Sequence, residues 1–151
     1  MTTIMLLLAS FLFQASYATD PTPGDPKTIE EKFKSTFPNA SNVTWHQDGS
    51  DYLAYFKTGK VTIKAIINAS GDLVSYLRYY TEEELPFYIY SKLLKKYPRL
   101  TILGITEFYS NNNLSYWICL TDTKNIWNSE FDANGNLTSE TKMKSGATRL
   151  K

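Results

Sequence analysis

The sequence predicts an α+β protein of two layers: a duplicated helix-plus-four-strand unit whose strands join in an antiparallel sheet with helices on one face. Three observations predict it. The stretch Ile29 to Tyr80 is echoed from Ile89 to Lys144, with Phe33, Phe37-Pro38, Val43 and Trp45 returning as Leu93, Tyr97-Pro98, Leu103 and Ile105. Asn68-Ala-Ser-Gly-Asp-Leu73 likewise returns as Asp132-Ala-Asn-Gly-Asn-Leu137, and self-similarity at a near-constant spacing marks a repeated structural unit. Within each copy, one apolar stripe at helical spacing precedes short alternating runs separated by glycine turns.

Residues 1–18 read as a secretory signal peptide. The run Ile4 to Phe13 is apolar but too short to span a bilayer, and Ser16-Tyr17-Ala18 supplies small residues where signal peptidase accepts them, so cleavage after Ala18 is expected. The segment before the apolar run has no Lys or Arg, which leaves a retained hydrophobic anchor as the alternative. Residues 19–26, punctuated by proline, read as an extended tail.

Residues 27–80 form the first repeat. Ile29, Phe33 and Phe37 share one stripe at a spacing of four, and Pro38 stops the helix. The strand holding Val43 and Trp45 follows, then Asp48-Gly-Ser-Asp51, a turn. Tyr52, Ala54 and Phe56 alternate toward the core, Lys57-Thr-Gly-Lys60 turns, and Val61, Ile63, Ala65 and Ile67 again share a face. Ala69-Ser-Gly-Asp72 turns into the last strand.

Residues 81–144 form the second repeat and 145–151 a C-terminal tail. Thr81 with Glu84 reads as a capping box, with acidic residues in the first helical turn, Lys95-Lys96 near the far end, and Leu85, Ile89, Leu93 and Tyr97 as the stripe. Tyr116, Ile118 and Leu120 align with Tyr52, Ala54 and Phe56, so these six should face the helices. The length difference between the copies falls at Tyr109-Ser-Asn-Asn-Asn113, which reads as a longer exposed loop.

The alternate positions point to the other side of the sheet. Tyr55, Lys64, Tyr76, Arg78, Tyr80 and Trp117 are expected there together, an open aromatic and cationic face. Clustered aromatics and Arg anchor protein recognition. They also stabilise a solvated sheet by cross-strand pairing alone, at about 0.2–1 kcal/mol per pair, so both readings stand.

Composition excludes several classes. Sixteen basic and fifteen acidic side chains leave a net charge of +1, which creates no field to gather nucleic acid. Eleven Tyr and three Trp among 15% aromatics favour a tyrosine-rich surface. A single cysteine, Cys119, forbids an intramolecular disulfide and reads as packing; the single histidine, His46, has no partner for a metal or catalytic site. Five Asn-x-Ser/Thr triplets, at Asn39, Asn42, Asn68, Asn113 and Asn136, read as turn chemistry. Asp132 to Leu137 opens like a calcium loop, yet the closing position falls on Met143, so a hairpin is preferred. No phosphate loop, nucleophile elbow or CxxC occurs; no catalytic residue, metal or cofactor is expected.

The order of an amphipathic helix ending in Phe37-Pro38 or Tyr97-Pro98, Val43-Thr-Trp45, Tyr52-Leu-Ala-Tyr-Phe56, Gly71-Asp-Leu73 and Glu84-Leu-Pro86, followed by a second copy, resembles the PepSY-like periplasmic family of Gram-negative bacteria. That family is similar in fold to β-lactamase inhibitor proteins, and the likeness covers residues 27–144. It implies a periplasmic or secreted location, and inhibition or binding rather than turnover. The chain departs from the true inhibitors in lacking disulfides and in carrying Lys57-Thr-Gly-Lys60 where an acidic hairpin tip would be expected. The expected function is a non-catalytic secreted or periplasmic module that binds a protein or peptide, an extracytoplasmic enzyme included, through the open face, as a monomer or homodimer without stable membrane insertion after signal cleavage. The alternative is an envelope-associated structural domain that self-associates through the same face.

Overall fold

The computed structural model describes residues 24–145; the expected signal peptide, residues 19–23 of the tail and residues 146–151 lie outside the described residues. Helix α1 (Pro26–Thr36) leads into strands β1 (Ser41–Asp48), β2 (Asp51–Thr58), β3 (Val61–Ile67) and β4 (Leu73–Tyr80). Helix α2 (Phe87–Lys96) leads into β5 (Thr101–Ser110), β6 (Asn113–Thr121), β7 (Asn125–Asp132) and β8 (Leu137–Lys144). All eight strands form one antiparallel sheet in chain order, an α+β architecture made mostly of sheet. Strand β4 pairs with β5 from Ser75↔Ser110 to Tyr80↔Ile105, so both halves share one sheet.

The core follows the strand alternation. Tyr52, Ala54 and Phe56 are buried, as are Tyr116, Ile118 and Leu120, together with Val61, Ile63, Ala65 and Ile67. On α1, Phe33 places its ring 4.9 Å from Trp45 and 5.0 Å from Phe56, and Phe37 lies 4.8 Å from Phe56. On α2, Ile89 and Leu93 are buried and the Tyr97 hydroxyl lies 3.1 Å from that of Ser129.

Each helix also clasps a hairpin turn. The Lys32 ammonium donates to the Ser70 carbonyl and to Asp72, while Lys92 donates to the Asn134 carbonyl. In the β7–β8 turn the Asp132 carboxylate accepts the backbone N–H groups of Asn134 and Asn136 and the Asn136 amide, at 2.8–2.9 Å. The hydrogen bonds from Asn136, with that from Asn134, hold the Asp132 carboxyl below the usual carboxylate range. Gly135 supplies the left-handed residue at φ +74°, which completes a hairpin rather than a calcium loop.

Four expectations are corrected. Asp25 caps α1 by accepting from Lys27 N–H and Thr28 Oγ1, and Pro26 is its first residue, so the proline-rich tail ends before them. The Thr81 side chain makes no cap hydrogen bond; Glu82–Glu84 form a separate 3₁₀ turn and α2 starts only at Phe87. Pro86 is the reason, because the residue before a proline is driven out of helical conformation, and Leu85 sits at ψ 131°. The expected loop at Tyr109–Asn113 is a two-residue turn, Asn111-Asn112, with both residues left-handed. The added length goes into the β5–β6 ladder instead, whose strands have 10 and 9 residues against 8 and 8 in β1 and β2.

The fourth correction concerns β4. Ile66 pairs with Ser75 whereas Ile67 pairs with Leu73, so Val74 is an extra residue bulged out of the ladder. Because side chains alternate with period two, one inserted residue sends every later side chain of that strand to the other face. The six residues expected together are thereby divided.

A candidate interaction surface

Cross-strand pairing assigns each face. On the face opposite the core, one row runs Tyr55, Lys64, Leu77, Phe108, Ser115. The next row runs Lys57, Thr62, Tyr79, Thr106, Trp117, Glu130, Ser139. Of the six expected residues, Tyr55, Lys64 and Trp117 therefore share this face. Tyr76, Arg78 and Tyr80 point to the core side, in register with Ala65, Ile63 and Ile105. Tyr79, Leu77 and Phe108 belong to the opposite face and are not apparent from the sequence; the Val74 bulge that places the first two carries no Gly or Asn to announce it.

This opposite face is apolar for a solvated surface. Trp117 is 48% exposed, and Tyr55, Tyr79, Ile66 and Leu103 are exposed with it. Phe108 and Trp117 pack with ring centroids 5.7 Å apart, and the Lys64 ammonium sits 5.5 Å from the centre of the Tyr55 ring. A second bulge, at Leu103 between the Ile102↔Leu120 and Gly104↔Cys119 pairs, pushes Leu103 outward beside a side-chain-free strip at Gly104. Together they frame an open groove of about 580 Å³ over β4–β8, lined by Tyr79, Leu103, Trp117, Cys119, Ser139 and Thr141. Cys119 is half-buried in its floor, and His46 is exposed on the outer strand β1.

The residues turned to the core side build something different. Glu107, 4% exposed, lies directly across from Arg78. Arg78 Nη1 donates to both carboxylate oxygens at 2.9 Å, Tyr76 Oη donates to Oε1 at 3.0 Å and Tyr80 Oη to Oε2 at 2.8 Å. Tyr109 stacks on Tyr76 at 5.1 Å. Burial, reinforced by the adjacent carboxylate, pushes the Tyr76 hydroxyl up to about 12 and raises that of Tyr80 further. Burial disfavours the Arg78 charge, but its hydrogen bond and attraction to Glu107 outweigh this and raise its pKa. All four acceptor sites of a carboxylate are used, and no buried side-chain polar atom among the described residues lacks a partner. This cluster has no free valence with which to work on a substrate; its geometry bolts β4 to β5 at the middle of the sheet.

Among the described residues no group of three His, Cys, Asp or Glu is placed to hold a metal, and no helix is long and apolar enough to cross a membrane.

No protein family matches the chain, and no curated protein matches it. Solved structures do. A BLIP-like protein from Bacteroides fragilis superposes with a TM-score of 0.60 at 17% identity, covering 83% of this chain and 91% of its own. A DUF2874 family protein from Bacteroides ovatus gives 0.58 at 20% identity, covering 81% and 89%. A provisionally assigned periplasmic protein from Bacteroides eggerthii gives 0.57 at 15% identity, covering 78% and 88%. The chain shares their fold. The likeness in fold to β-lactamase inhibitor proteins stands on these superpositions; the PepSY-like family name finds no match.

Proposed function

We propose that the chain is a non-catalytic extracytoplasmic module that binds a protein or peptide on the open face of its sheet, in the groove beside Trp117. One observation carries this reading: a single copy exposes Tyr55, Tyr79, Leu103 and Trp117 on one surface, the last three around a groove of about 580 Å³, without covering them by any described element. Helices on one face and an open second face make that surface available. The duplication supports the same architecture, because Lys32 and Lys92 clasp equivalent turns at Asn68–Asp72 and Asp132–Asn136. An extracytoplasmic enzyme is one partner class, suggested by the BLIP-like neighbour. In this reading Tyr55, Lys64 and Trp117 contact the partner together with Tyr79 and Phe108, and Tyr76, Arg78 and Tyr80 act from beneath by fixing the β4–β5 seam.

The test is capture from an envelope extract by the immobilised chain, its Trp117→Ala/Tyr79→Ala variant and a Phe87→Ala variant. Phe87 is 81% exposed on α2, away from the groove, and controls for general stickiness. A species retained by the parent and by Phe87→Ala but lost by the double variant is expected. Equal capture by the double variant would sink the reading.

A further inference from the structure

The sheet has two edges, and they are unlike. Strand β1 is broken between Ser41 and Thr44, where Asn42 takes φ +55°, so its outer ladder is interrupted. Strand β8 runs unbroken from Ser139 to Lys144 with no proline, and among the described residues nothing pairs with its outer side. Lysines on an edge usually deter pairing. Here Glu140 and Lys142 carry opposite charges two positions apart, which changes the outcome in one register.

The direction of the free groups follows from the ladder. Ser145 N–H donates to the Lys124 carbonyl at 2.7 Å, and the next pair outward in register is Asn125↔Lys144. Hydrogen-bonded and non-bonded pairs alternate in an antiparallel ladder, so Thr141 and Met143 spend their backbone groups on β7 while Glu140, Lys142 and Lys144 direct theirs outward. A second β8 laid antiparallel, with its two-fold axis at Thr141, sets Glu140 opposite Lys142 of the other copy and Lys142 opposite Glu140. Both are bonding pairs by ladder phase, and both are ion pairs. Moving the axis to Glu140 or to Lys142 sets like charges face to face, and moving it to Met143 opposes Lys142 to Lys144. Both side chains lie on the core side of β8 beside their β7 partners: the Lys142 ammonium lies 4.7 Å over the Trp127 ring, and Ser129 Oγ donates to Glu140 Oε2 at 3.4 Å.

We propose that β8 is the interface of a homodimer in which two copies of this chain pair edge to edge about Thr141, joining their sheets into one of sixteen strands. The axis is perpendicular to the sheet, so both open faces point the same way. Ser139 and Thr141 line the groove at its outer end, and the two grooves therefore meet across the dyad. A closed two-fold pairing consumes β8 in both copies and leaves only the bulged β1 edges, which limits growth to the dimer.

Sedimentation equilibrium of the full chain, expressed with its own N-terminal segment and purified as the cell processes it, reads the outcome directly. The parent is expected to be a dimer, and Glu140→Lys and Lys142→Glu each to weaken it roughly tenfold, by turning two attractive cross-strand pairs repulsive. The swap Glu140→Lys/Lys142→Glu should restore it. Lys142→Pro removes an outward N–H that β7 does not use, and should give a folded monomer by circular dichroism. A parent that stays monomeric at all accessible concentrations, assembles beyond a dimer, or dimerises equally well in all three weakening variants overturns the proposal. So does a dimer dissolved by Trp117→Ala/Tyr79→Ala alone, which would place self-association on the open face.

Discussion

Glu107 is a carboxylate where strand phase calls for an apolar side chain, since Ile105 and Tyr116 around it are core residues. Its burial is tolerated because Arg78, Tyr76 and Tyr80 fill its acceptor sites, and the arrangement is costly to break from either side. Glu107→Ala strands two hydroxyls and a guanidinium; Arg78→Met strands a buried anion. Each should lower unfolding stability by about 3 kcal/mol in urea titrations with an unchanged slope. The double variant Arg78→Met/Glu107→Leu should lose less than Glu107→Ala, because an apolar pair replaces the paired charge and leaves only the Tyr76 and Tyr80 hydroxyls unmatched. Single variants within about 0.5 kcal/mol of the parent would show that the seam does not depend on this cluster.

At the scale of elements, the glycine turns have unequal demands. Gly59 and Gly135 are both left-handed, at φ +59° and +74°, but a Cβ on Gly59 meets nothing within 4 Å. One on Gly135 would come within 2.9 Å of Lys92 Cδ and 3.1 Å of Ile89 Cδ1, pressing the hairpin against α2. Gly59→Ala should therefore cost about 1 kcal/mol from backbone strain alone, and Gly135→Ala about 2 kcal/mol, measured by the same denaturant titrations. Equal costs would mean that the helix yields freely at Lys92. These turns were legible in the sequence because glycine at a positive-φ position is a local requirement. So were the helical stripes through Phe33 and Leu93 and the core alternation in β2 and β6. The start of α2 was misread because Pro86 overrides an adequate capping box at Thr81. The candidate face was half misread because Val74 is an ordinary strand residue, and its bulge arises from pairing with β3 rather than from its own chemistry. Glu107 had one signal, a charge in core phase, and its partners across the strand could be found only once β4 was correctly registered.

The whole molecule is a meander in which every strand pairs with its sequence neighbour, an arrangement that could in principle melt as two halves. Two features argue against that. The β4–β5 ladder joins the halves with the same antiparallel pairing found within them, and a single contiguous core runs from Ile29 and Phe33 through Tyr80 and Ile105 to Phe131. Neither half alone could keep Tyr80, Ile105 and Glu107 buried. Calorimetry at fixed protein concentration should accordingly show one transition, with calorimetric and van't Hoff enthalpies equal per cooperative unit. Arg78→Met should move that transition down as a whole, by roughly 10 °C, without splitting it. Two resolved transitions in the parent, or a variant in which one half outlasts the other, would show instead that the two halves are separate folding units joined only by their pairing.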